Sequence, residues 1–85
     1  MKLVLIEWQD SFGCSTDWQP LEGVRAKPQV CKSVGWLAYD GKDCKVIVPH
    51  ISSAHDNTAQ QGCGDMTIPT KAIVKLKTLS LPLSR

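Results

Sequence analysis

Short runs of alternating apolar and polar residues, separated by clusters of Gly, Pro, Asp and Ser, make up most of the chain, and no apolar spacing of helical period persists for two turns. The first run extends from Lys2 to about Gln9, with Val4, Ile6 and Trp8 on one face and Leu3, Leu5 and Glu7 on the other. Both faces begin apolar, so this strand is expected to be covered twice. The second run, Val30 to Tyr39, sets Val30, Val34, Trp36 and Ala38 against Ser33, Gly35, Leu37 and Tyr39. Gly35 inside it predicts a bulge or a strong bend. Asp40-Gly41-Lys42-Asp43 reads as a hairpin turn, because Asp-Gly readily supplies positive φ, and Cys44 to Val48 returns as a third strand ended by Pro49. Met66 to Ile68 and Ala72 to Leu79 are a fourth and a fifth strand. A single tight turn after Pro69 joins them, and Ala72, Val74 and Leu76 form the alternating face.

Two connections are too long to be turns. Asp10 to Pro28 carries Ser, Gly, Asp and Pro at short intervals, with Phe12, Trp18, Leu21 and Val24 as its apolar anchors. It predicts a long ordered loop that pins Trp18 to the body of the fold. Ser52 to Gly64 is polar and rich in small residues, including His55, Asp56 and Asn57. Five short strands, a long first loop, a central hairpin and a one-turn break before the last strand predict an all-β fold, a small five-stranded SH3-like or Sm-like barrel with long loops. Strands this short bury one interior by curling until their edges meet, and an OB-like barrel is the alternative topology. The barrel is assigned to residues 1–79, and residues 80–85, with Pro82, to a tail.

Composition narrows this picture in a few places. Eighty-five residues hold one small core, and 42% apolar content is enough for the chain to fold. Ten Lys and Arg against eight Asp and Glu leave +2, too slight to mark a nucleic-acid binder by charge alone. No run approaches the ~20 apolar residues of a membrane helix, and Leu3 to Ile6 is shorter than the ~7 to 15 of a signal-peptide core, so a cytoplasmic protein is expected. Cys14, Cys31, Cys44 and Cys63 are scattered, which favours free thiols, with Cys31 and Cys44 as core atoms.

Several segments together resemble a family of small proteins found in phages and prophages. They are Leu5-Ile6-Glu7-Trp8-Gln9-Asp10-Ser11, Ser33-Val34-Gly35-Trp36-Leu37, Gly64-Asp65-Met66-Thr67-Ile68-Pro69 and Ala72-Ile73-Val74. The resemblance spans roughly residues 2 to 77 and implies a phage accessory protein working in the host bacterial cytoplasm, adapting or blocking a host component, as in countering a defence system. It implies no catalytic residue.

Candidate sites therefore come from the residues themselves. His50, His55, Cys63, Asp56 and Asp65 are the densest set of groups able to bind metal or move protons, yet no close ligand pair of the Cys-x-x-Cys kind is present, so neither metal nor cofactor is expected. The glycines around Cys63 account more simply for a tight approach of the chain, with the thiol packed beneath the loop. Trp8 and Trp36 read as core, whereas Trp18 and Tyr39, each beside a polar turn, read as surface groups able to hold a peptide or stack a base. Lys71, Lys75 and Lys77 form a basic stripe, which suits edge protection or an anion contact. The expectation is a non-enzymatic protein that binds a host protein or small ligand through Trp18, Tyr39, His55, Cys63 and Asp65. An Sm-like, homo-oligomeric nucleic-acid binder and a virion component are the alternatives.

Overall fold

A computed structural model describes residues 1–54, 57 and 59–80. It is all-β, with a five-stranded antiparallel sheet. Strand β1 (Leu3–Asp10) pairs on one side with β2 (Gln29–Asp40) and on the other with β7 (Ile73–Leu79). Strand β3 (Cys44–Val48) pairs with β2 and with β6 (Met66–Pro69), so the order across the sheet is β6-β3-β2-β1-β7. A separate ribbon joins β4 (His50–Ile51) to β5 (Gly62–Cys63).

The alternation of β1 sets the core. Val4 and Ile6 are fully buried and meet Ile47 of β3 and Ile68 of β6, while Trp8, Leu37, Ala72, Ile73 and Leu76 pack around this cluster. The Trp8 indole N–H donates to Ser33 Oγ at 3.0 Å, so the large ring is half-buried with its polar atom satisfied.

Register corrects three expectations. Leu3 faces Trp36 and Val4 faces Gly35, which puts Trp36 on the outer side of the sheet with Leu3 and Leu5, half-buried and outside the core cluster. The inward side of β2 is Cys31, Ser33, Gly35 and Leu37 instead. On β7, the ladder slips one residue between Glu7 and Trp8, so that Ile73 takes the place opposite Trp8 and Val74 is turned out, 60% exposed. In β2 the irregularity lies between Leu37 and Tyr39 rather than at Gly35. Gly35 serves a close approach, since a Cβ there would stand 3.1 Å from both the Ile47 Cβ and the Val48 carbonyl oxygen.

The expected closure into a barrel is not present: β6 and β7 lie at opposite ends of the strand order and, among the described residues, share no ladder. Strand β6 is only four residues long and ends at Pro69, which has no N–H to offer a neighbour. A 3-10 turn, Thr70–Ala72, links the two edges and lies against β1 and β3, with the Thr70 N–H donating to the Asp43 carbonyl at 2.9 Å. No helix among the described residues is long and apolar enough to cross a membrane.

Candidate functional site

Between Asp10 and Gln29, the paired ends of β1 and β2, the chain leaves the sheet for eighteen residues, every one of them exposed. The Trp18 side chain is 99% exposed and Leu21 is 83% exposed, so the loop does not pin Trp18 to the sheet. An out-and-back path of this length reaches about 30 Å at ~3.3 Å per residue. The molecule measures 60 × 27 × 26 Å with a radius of gyration of 17.5 Å, against about 12 Å for a compact chain of this size. We call residues 11–28 the arm.

Local chemistry shapes the arm. At its base the Arg25 guanidinium sits over the Phe12 ring, 4.2 Å from the centroid, and Gln29 Nε2 donates to the Ser11 carbonyl at 3.2 Å. Asp17 Oδ1 accepts from the Trp18 N–H at 2.8 Å, fixing the backbone that carries the indole. Pro20 precedes the 3-10 turn Leu21–Gly23, which the Gly23 N–H to Pro20 carbonyl bond (3.0 Å) holds. A single turn presents Leu21 beside Glu22 without burying either. From Cys14 to Val24 the arm carries two carboxylates, Asp17 and Glu22, and no cation.

The other expected site residues are dispersed. Tyr39 is 57% exposed and sits at the hairpin end of β2, opposite the end from which the arm departs. A Cβ on Gly41 would run into the Tyr39 ring, so the ring lies over that turn. Cys63 is exposed on the ribbon rather than packed beneath a loop, and it pairs directly with His50. Gly64 follows with φ 81, where a Cβ would also stand 3.0 Å from Pro49 Cγ, and it leads to the exposed Asp65. Asp65 borders a groove of about 340 Å³ between the ribbon and the outer side of β2 and β3, lined also by Ala38, Val46, Val48 and Ile51. His55 and Asp56 lie outside the described residues. All four cysteines are free, with Cys14 and Cys63 exposed and Cys31 and Cys44 partly buried. Among the described residues no three His, Cys, Asp or Glu side chains gather as a metal site.

Lys71 is in the 3-10 turn, while Lys75 and Lys77 stand on the outer side of β7. Lys75 and Lys32 face Glu7 from either side, a row that sequence spacing alone does not reveal because it crosses three strands. Next to it lie the rows Lys77-Leu5-Val34 and Leu79-Leu3-Trp36. The outer face is thus apolar at one end and basic at the other. Among the described residues the one ion pair, Lys45 with Asp40, is elsewhere. Comparison with known protein families, with curated proteins and with solved structures finds no match.

Proposed function

We propose that this chain is a non-enzymatic binding protein of the phage accessory type, which engages a protein partner in the host bacterial cytoplasm through its arm. One observation carries the reading: eighteen consecutive exposed residues hold Trp18 and Leu21 almost wholly in water, anchored at a rigid sheet. Exposed apolar groups of this size are typical of interaction sites, and tryptophan is the side chain most enriched among interface residues that dominate affinity. The strand order and the 3-10 turn before the last strand support an SH3-like scaffold, left open at one side.

The test is affinity capture from host lysate with the native chain and with Trp18→Ala. A partner held by the native chain is expected to be lost with the variant, since removing a central tryptophan costs about 2 kcal/mol or more, roughly 30-fold in affinity. Equal capture by both proteins would refute the role given to the arm.

A further inference from the structure

The distal arm carries fully exposed apolar side chains, the outer face of the sheet carries Val34 exposed and Leu3, Leu5 and Trp36 half-buried, and the two differ in charge, with Arg25 and Lys27 confined to the arm's base. Around Trp18 and Leu21 stand Asp17 and Glu22 with no cation between Cys14 and Val24. Around Leu5 and Trp36, among the described residues of the ladder, stand Lys32, Lys75 and Lys77 against the single carboxylate of Glu7. The distal arm therefore carries −2 and the face +2. Neither feature satisfies the other within one chain, because the arm is exposed along its whole length.

Building on the reading of the arm as a binding element, we propose that in the free protein its partner is a second copy of this chain: each arm lies across the outer face of the other molecule, with Trp18 and Leu21 on the apolar rows and Asp17 and Glu22 toward the lysines. Exchange of two arms is reciprocal, so it gives a closed twofold dimer in which both arms and both faces are covered. The apolar rows continue toward the groove beside Val48, a space of the size that accepts a large side chain. Nucleic acid is the weaker occupant of this face. Three lysines neutralise few phosphates, and the centre of the face is aliphatic apart from Trp36, which offers little stacking surface.

Sedimentation velocity under reducing conditions tests this with the native chain, Trp18→Ala, Asp17→Lys/Glu22→Lys and Lys75→Glu/Lys77→Glu, each first checked for a native thermal transition. Lys75→Gln/Lys77→Glu, which makes the face −1 and places its new carboxylate opposite Leu5 rather than Glu7, replaces the double variant if two glutamates beside Glu7 prevent folding. The native chain is expected to be a dimer, Trp18→Ala, which removes the indole from both arms at about 30-fold each, to dissociate at roughly 1,000-fold higher concentration, and each charge variant alone to be monomeric. An equimolar mixture of the arm and face variants, whose charges are again opposite, is expected to restore the dimer mass. A native monomer through the micromolar range, a dimer indifferent to both reversals, or no recovery on mixing would each overturn the proposal. A monomer that still captures a host protein through Trp18 would overturn it and leave the proposed function standing. Binding of an oligonucleotide to a monomeric native chain that is lost with Lys75→Glu/Lys77→Glu and kept with Asp17→Lys/Glu22→Lys would assign the face to nucleic acid instead.

Discussion

Replacing Gly35 by alanine places a methyl where β3 leaves little more space than a hydrogen needs. The new Cβ would lie 3.1 Å from the Ile47 Cβ, 3.1 Å from the Val48 carbonyl oxygen and 3.3 Å from the Val48 carbonyl carbon. All three belong to or adjoin the β3 backbone, which is bonded to β2 on one side and β6 on the other and has little freedom to retreat. Overpacking of this kind costs about 1–3 kcal/mol, and the reduced entropy of the unfolded chain returns up to about 1 kcal/mol. The net expectation is a loss of about 1–2 kcal/mol, which lowers Tm by roughly 5–15 °C in a domain of this size. Gly13 and Gly23 supply the control, because a Cβ at either meets nothing within 4 Å. Differential scanning calorimetry of the three alanine variants decides the matter. A Gly35→Ala protein as stable as Gly13→Ala would refute the claim that β2 needs glycine for close approach to β3.

Ile68→Ala empties a fully buried site and is expected to cost about 2–5 kcal/mol in urea unfolding, a large share of the ~4–13 kcal/mol available to 85 residues; a loss under 1 kcal/mol would place Ile68 outside the core. Trp18→Ala, by contrast, should leave stability within about 0.5 kcal/mol of native when measured at concentrations where the protein is monomeric, because no contact is lost. Asp40→Asn breaks the Lys45 ion pair, whose carboxylate is 60% exposed, and should shift stability by no more than about 1 kcal/mol, less in high salt. Thiol titration of the native protein should find Cys14 and Cys63 reacting quickly and Cys31 and Cys44 only slowly, with all four equal in denaturant; four equally fast thiols would contradict the partial burial of β2 and β3.

Strand positions were legible in the sequence where apolar and polar residues alternated over three residues or more. Cys44–Val48 matches its expected bounds, and β1, β2, β6 and β7 shift by a residue or so at an end. The two-residue strands His50–Ile51 and Gly62–Cys63 were not legible, since two residues have no period. Orientation of β2 was harder still. Val30, Val34 and Trp36 carry more apolar surface than Cys31, Ser33 and Gly35, yet the small residues face inward because register against Val4 and Ile6 decides the side. The displaced residue near Val74 has the same origin: a ladder slip belongs to a pair of strands and leaves no mark on either one alone. For the candidate site, the polar turns beside Trp18 and Tyr39 marked both as surface groups, which they are, but not that the arm stands clear of the sheet instead of pinning Trp18 to it. That depends on whether a sheet surface lies within reach, which only the tertiary arrangement settles.

Strand β1 is flanked by β2, its neighbour in sequence, and by β7, some seventy residues later in the chain, with Leu3 paired to Leu79 and Trp8 to Ile73. Its second flank stays bare until some seventy further residues have been made, so the rate of acquiring the native state depends on one distant encounter. Chains governed by such pairings take milliseconds to seconds, a delay that stopped-flow tryptophan fluorescence would read directly. Aggregation has its opportunity in that interval, when the Leu3–Ile6 run lacks one of its two neighbours.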